Sequence, residues 1–192
     1  MKRTYKLTTP YGENLNKDAV WQDYPRPQFK RDSFICLNGE WDFAVSKSEN
    51  LPSEYAEKIL VPFPPESALS GIERSIQRGD VMYYRRKITL PEGFLKDRVI
   101  IHFGAVDQIA VLYVNGTKIY KNEGGYLPFC CDITDSLTKG ENEIILAARD
   151  DYQTYIPTAS KRKKEAVCGI LPYRESGRRY GLKACQSCLF AQ

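Results

Sequence analysis

RVIIHFGAVDQIAVLYVNGTKIY, residues 98–120, is the stretch whose reading decides the fold. Residues 99–103 are a continuous apolar run with one histidine, His102, and predict a buried strand. After Gln108, the side chains of 109–114 alternate between faces without becoming polar. Ile109, Val111 and Tyr113 take one face, and Ala110, Leu112 and Val114 take the other. A strand that is apolar on both faces must be covered on both sides. Asn115-Gly116 then supplies the two positive-φ residues of a type I′ turn, and 117–120 returns antiparallel.

Working outward, the same grammar repeats. Residues 34–45, FICLNGEWDFAV, hold a turn at Asn38-Gly39 followed by Trp41 and Phe43 on one face. Residues 59–61 make a short strand stopped by Pro62, and Pro64-Pro65-Glu66-Ser67 must be an ordered loop, because proline fixes φ and removes a donor. Residues 82–90 predict a strand turned by Pro91-Glu92-Gly93. After a loop at Gly124-Gly125 come a weak strand over 127–133, one helical turn near 132–135 and a strong strand over 143–149. About eight short strands, with turn signals every ~8–12 residues and no long helix, predict an all-β antiparallel sandwich or jelly roll.

Composition bounds the rest. The chain has 192 residues, 42% hydrophobic and 27% charged, as expected for one soluble domain. No stretch approaches the ~20 apolar residues of a membrane span. The N-terminus is basic but lacks an apolar region, so a secretory leader is not expected. The six cysteines (36, 130, 131, 168, 185 and 188) show no framework spacing, and free thiols in a cytoplasmic protein are expected. The net charge of +4 is uneven. Residues 159–192 hold eight Lys/Arg against two Glu, so the first 158 residues are slightly acidic.

LNGEWDF (37–43), VPFPPES (61–67), YYRRKITLP (83–91), VIIHFGAVDQIAVLYVNG (99–116) and ENEIILAARDD (141–151) together resemble the N-terminal sugar-binding domain of glycoside hydrolase family 2. TPYGE (9–13) and YPRPQ (24–28) resemble the arm of its bacterial members. The family contains β-galactosidases, β-glucuronidases and β-mannosidases. The resemblance implies a galactose-binding-type jelly roll over 33–158, preceded by an arm over 1–32. It also implies that the two catalytic glutamates belong to a separate (β/α)₈ barrel. Retaining glycoside hydrolysis needs two carboxylates ~5 Å apart, and a barrel takes ~250 residues. The chain is therefore expected to hold no catalytic residue and no cofactor. It is expected to be a non-catalytic, truncated sugar-binding and scaffold domain. The parent enzyme would bind a β-glycoside, assemble as a homo-oligomer, and use neither nucleic acid nor membrane. The alternatives are a β-galactosidase-type hydrolase in its own right and an independent carbohydrate-binding module.

The resemblance stops near Thr158, where the family closes its domain with a strand of the form Gly-Ile-Trp-x-x-Val-Trp-Leu-Glu. Residues 159–192 lack that strand. Back-translated with suitable synonymous codons, however, they encode it in a shifted frame. The tail is therefore expected to be an out-of-frame, poorly ordered product of one lost nucleotide near codon 158, leaving a sheet edge unpaired. The short basic run 161–164 and the single Cys185-x-x-Cys188 are weak signals for nucleic acid or metal.

Candidate sugar contacts implied by the resemblance are Glu66 and Ser67 in one loop, and Arg149, Asp150 and Asp151 in another. Carboxylates suit hydroxyl recognition because they accept charge-assisted hydrogen bonds. Against this stand a turn-capping role for the two aspartates and a solvated Glu66. Trp41, Tyr83 and Tyr84 alternate as core residues do, His102 reads as a structural histidine, and Asn115-Gly116-Thr117 reads as a turn rather than a glycosylation site.

Overall fold

In the computed structural model, residues 9–22, 33–95 and 97–149 are described in full, and the strands at 172–175, 179–182 and 187–191 by their backbone. The chain is an all-β sandwich. Its larger sheet has six strands in the order β3-β2-β4-β9-β6-β7. These are β2 (Gly39–Ser46), β3 (Glu57–Val61), β4 (Val81–Thr89), β6 (Ile109–Val114), β7 (Thr117–Glu123) and β9 (Glu141–Arg149). The smaller sheet runs β1-β12-β5-β8, from β1 (Phe34–Cys36), β5 (Val99–Phe103), β8 (Phe129–Asp132) and β12 (Ser187–Ala191). β10 (Pro172–Glu175) and β11 (Arg179–Leu182) make a separate two-stranded ribbon.

The core lies between the two main sheets. Trp41, Phe43, Met82, Tyr84, Ile144 and Leu146 face inward from the large sheet and meet Val99, Ile101 and Phe103 from the small one. The double-sided apolar strand is explained by a second layer. Ala110, Leu112 and Val114 of β6 enter the main core, while Val111 and Tyr113 pack outward against Val81, Tyr83, Ile145 and Ala147. Leu51 and Tyr55, from the β2–β3 connection, cover that outer cluster. A third cluster, Val20 with Leu60 and Phe63, pins the N-terminal segment to β3.

The structure adds two placements and corrects one expectation. The 98–120 stretch is divided between sheets: β5 belongs to the small one, and the β6–β7 hairpin lies at the edge of the large one. Within the arm, Thr9 caps a single helical turn, α1 (Pro10–Glu13), by accepting from the Gly12 amide, and Asn16 caps a 3₁₀ turn. Residues 24–27 lie outside the described part. The edge expected to be bare is occupied: β12 pairs antiparallel with β1 on one side and β5 on the other. The physical reason is that a gap between two strands offers two ladders of backbone donors and acceptors. An extended segment, here residues 187–191, satisfies both with its own backbone.

The hairpin turn forms as its sequence dictates, with Asn115 at φ 50 and Gly116 at φ 77. Its side chain does more than turn the chain. The Asn115 amide donates to Ser136 O (2.8 Å) and Asn142 Oδ1 (2.9 Å), and its oxygen accepts from the Glu143 amide (2.9 Å).

Candidate functional site

Of the five residues proposed from sequence, three are described. Glu66 and Ser67 lie in the proline-rich loop after β3, beside the outer edge of the large sheet. Glu66 is half-buried with both carboxylate oxygens shielded from solvent. Ser67 caps a 3₁₀ turn, its hydroxyl accepting from the Leu69 amide at 3.2 Å. A hydroxyl that accepts still has its own proton to donate. The loop is held by Ser70, whose hydroxyl donates to Ser67 O (2.7 Å), and by Arg74, which grips Glu57 with two hydrogen bonds of 3.0 and 2.6 Å.

Arg149 is the last residue of β9, opposite Val81 and Ile109. Its guanidinium pairs with the Glu49 carboxylate. β2 and β4 separate β9 from β3, which is ~14 Å at normal strand spacing. The Glu66–Ser67 loop and Arg149 thus belong to different parts of the sheet rather than to one built cluster. Asp150 and Asp151 lie outside the described residues.

Sequence reading missed a charged group on the outer face of the large sheet. Asp42 of β2 stands opposite Arg85 of β4 and Lys58 of β3. Its carboxylate accepts from Arg85 Nε and Nη2 (2.9 and 2.8 Å) and pairs with Lys58 Nζ (2.6 Å). Burial pushes the Asp42 pKa up, but the hydrogen bonds and charges of Lys58 and Arg85 outweigh it and hold the carboxyl below its usual range. The Arg85 guanidinium also stacks 4.1 Å over the Tyr55 ring, and burial pushes the Tyr55 phenol up to about 12. The signal was available in the strict period-2 alternation of Tyr83, Arg85 and Lys87, but sequence alone does not reveal which strands lie alongside. The three charges are paired with one another, and their chemistry is that of a cross-strand ion ladder rather than of proton transfer.

A second feature is a concavity of about 540 Å³ beside the β7–β8 connection, lined by Tyr120, Asn122, Tyr126, Leu127 and Phe129 among others. Phe129 stacks between Phe103 (4.9 Å) and Tyr120 (5.9 Å), while Tyr126 and Leu127 project into solvent, 83% and 76% exposed. Among the described residues no group of three or more His, Cys, Asp or Glu is placed to hold a metal ion. No helix there is long and apolar enough to cross a membrane. Trp41, Tyr83 and Tyr84 are all buried. Trp41 donates its indole N–H to Leu37 O at 2.7 Å, so none of the three offers a ring for stacking.

Comparison with known proteins adds the context that geometry lacks. Residues 62–156 match the family model described as "Glycosyl hydrolases family 2, sugar binding domain". The cat (Felis catus) β-glucuronidase is 30% identical over 134 residues, covering 61% of this chain and 20% of the relative. A β-galactosidase of Thermoanaerobacter pseudethanolicus is 37% identical over 75 residues, covering 39% of this chain and 10% of that protein. Among solved structures, a Ruminococcus gnavus β-glucuronidase superposes with a TM-score of 0.58 at 20% identity, over 88% of this chain and 30% of that one. The chain spans about a fifth of the length of the β-glucuronidases it matches.

Proposed function

We infer, from a chain whose residues 62–156 carry the sugar binding domain of glycosyl hydrolases family 2, that it serves as the non-catalytic, sugar-binding and scaffolding domain of a β-glycoside hydrolase. The observation that carries this reading is the pairing of that family match with a β-sandwich whose outer-face charges are paired with one another. Arg85 is committed to Asp42 and Lys87 to Glu141. Retaining hydrolysis requires two opposed carboxylates about 5 Å apart over a bound sugar. Asp42, held ionised, has no proton to give as an acid, and its oxygens are engaged by Arg85 and Lys58 rather than open to attack a sugar.

In this reading the loops at Glu66–Ser67 and Arg149–Asp151 are the sugar-facing rim. They contribute hydrogen bonds to hydroxyls once the sugar is held by the rest of the enzyme. The substrate class is a β-galactoside or β-glucuronide, and the parent enzyme is a cytoplasmic homo-oligomer. Residues 159–192 are the product of a shifted reading frame.

The test is direct. Purified chain incubated with chromogenic β-galactoside and β-glucuronide should give no turnover above buffer. Heat-labile turnover would overturn the non-catalytic reading. Calorimetric titration with galactose, glucuronate and mannose then separates rim from module: a saturable signal would make the chain a self-sufficient carbohydrate-binding module. Resequencing the gene should show the in-frame closing strand one nucleotide away. An intact frame encoding the present tail would dismiss the frameshift.

A further inference from the structure

The chain holds two Asn-Gly pairs, at 38–39 and 115–116. Residues in this order react with each other. The glycine nitrogen reaches the side-chain carbonyl carbon of the asparagine before it, and glycine has no Cβ to crowd the approach. The two pairs sit in opposite surroundings. Asn38 and Gly39 are both buried, and Gly39 is paired with Val61 across the β2–β3 ladder. Asn115 and Gly116 are both exposed at the tip of the β6–β7 hairpin. Beyond its chain neighbours, nothing lies within 4 Å of the point a Gly116 Cβ would occupy. Water and hydroxide therefore reach the Gly116 amide and are kept from the Gly39 amide.

Exposure at Asn115 is offset by a lock. Its Nδ2 donates to Ser136 O and to Asn142 Oδ1, and its Oδ1 accepts from the Glu143 amide. Its backbone N–H also donates to Glu143 O at 2.9 Å. All of these partners lie between residues 136 and 143, and none is on the turn itself. Reaction draws the side-chain carbon back onto the Gly116 nitrogen of its own turn, and Nδ2 must leave as ammonia. Neither is compatible with the three side-chain bonds, so the amide has to come off its partners first.

We propose that Asn115 is a hydrolytic modification site: it loses its side-chain ammonia when the hairpin knot opens, and the product keeps the knot untied. Hydroxide takes the Gly116 amide proton. The nitrogen attacks Asn115 Cγ, a C–N bond forms, and the Cγ–Nδ2 bond breaks with release of ammonia. The product is a five-membered cyclic imide. Water then opens the ring at one of its two carbonyls. Opening at Cγ gives aspartate. Opening at the main-chain carbonyl gives isoaspartate, with the chain rerouted through Cγ. One water is consumed and one ammonia released, and nothing is oxidised or reduced.

Either product fits poorly in the place it inherits. A carboxylate has no proton for Ser136 O or Asn142 Oδ1, so oxygen faces oxygen where two donor bonds stood. Isoaspartate also adds a carbon to the main chain inside a two-residue turn, whose flanking residues Val114 and Thr117 are held opposite each other. Conversion is therefore one-way. It accumulates with the time the knot spends open rather than with the time the whole chain spends unfolded.

The test follows the full chain in mildly alkaline buffer by peptide mapping, where conversion reads as a gain of one mass unit. Unfolded in urea, Asn38 and Asn115 should convert at comparable rates. Folded, Asn115 should convert more slowly than when unfolded and still ahead of Asn38. Below the unfolding transition, added urea should leave the Asn115 rate nearly flat and raise the Asn38 rate steeply, because a local opening exposes little surface. Asn142→Ala removes one of the three side-chain bonds and should speed Asn115 by at least about fivefold, the factor of one ordinary hydrogen bond. Should that variant not fold, the urea series on the unaltered chain decides alone. Asn115→Asp, which matches one product, should unfold at lower urea than the unaltered chain. Equal rates at Asn115 folded and unfolded, or a parallel rise of Asn38 and Asn115 with urea, would overturn the proposal. So would an unmoved rate in folded Asn142→Ala, or an unmoved midpoint in Asn115→Asp.

Discussion

Replacing Asn142 by alanine should be among the most damaging single polar changes in the chain. Asn142 is wholly buried at the start of β9. Its Oδ1 accepts from the Thr138 amide (2.7 Å), the Thr138 hydroxyl (3.2 Å) and Asn115 Nδ2 (2.9 Å). Its Nδ2 donates to Thr138 O (3.0 Å) and Gly140 O (3.1 Å). One side chain therefore closes the 138–141 turn and ties it to the β6–β7 hairpin. Alanine removes all five bonds. It strands a part-buried backbone amide at Thr138, which alone costs about 1–3 kcal/mol, and the remaining bonds add about 1 kcal/mol between them after partial rescue by water. The expected loss is about 3 kcal/mol. With a urea slope of about 2 kcal/mol/M, the unfolding midpoint should fall by about 1.5 M at unchanged slope. Asn115→Gly, which keeps the positive φ, should cost less, and the double variant should fall short of the sum, because the two residues share a bond. A midpoint shift below about 0.3 M for Asn142→Ala, or strict additivity with Asn115→Gly, would refute the description of this knot as a joint.

Three further outcomes follow from the same structure. Tyr55 and Tyr83 both have pKa values pushed up to about 12, chiefly by burial, so the folded chain holds their protons longer than the unfolded chain does. Stability should accordingly be full below pH 10 and decline between pH 10 and 12, with two phenols lagging the rest in an ultraviolet titration; simultaneous ionisation of all tyrosines while the protein stays folded would contradict this. Asp42 has a lowered pKa, so its contribution is present above its usual 3.8 and lost as pH falls. Asp42→Asn should cost about 1 kcal/mol at pH 7 and nothing at pH 2, read by urea unfolding at both. Gly125→Ala should destabilise the β7–β8 connection, because an added Cβ would collide with the Asp107 carboxylate. Faster proteolysis within 122–130 is the expected sign, and an unchanged cleavage pattern would show that the loop gives way freely.

Strand existence was legible because period-2 patterning and turn chemistry are local. Asn115-Gly116 formed its turn, and Trp41 and Phe43 entered the core together. What the sequence did not carry was partnership. β5 and β6 are contiguous in the chain yet lie in opposite sheets, a fact set by which strands they meet rather than by their own residues. The same blindness hid the Asp42–Arg85–Lys58 group, whose members are 43 and 16 positions apart along the chain and adjacent only through the β3-β2-β4 order. Apolar character on both faces of 108–114 correctly demanded two covers, but Leu51 and Tyr55, which complete the outer cover, come from a stretch that is polar overall. The candidate sugar rim was drawn from resemblance, and its residues carry no local pattern by which their positions in space could have been foreseen.

The placement of β12 between β1 and β5 has a consequence for synthesis. Every described strand of the large sheet has been made by residue 149, but the strand that joins β1 to β5 begins at residue 187. At about 5–20 residues per second, the nascent chain waits about 2–8 s with those two edges bare. Joining them closes a ring of roughly 150 residues, a slow step for any chain. The newborn protein is therefore most vulnerable to edge-to-edge association in its smaller sheet, during an interval set by the ribosome rather than by the fold.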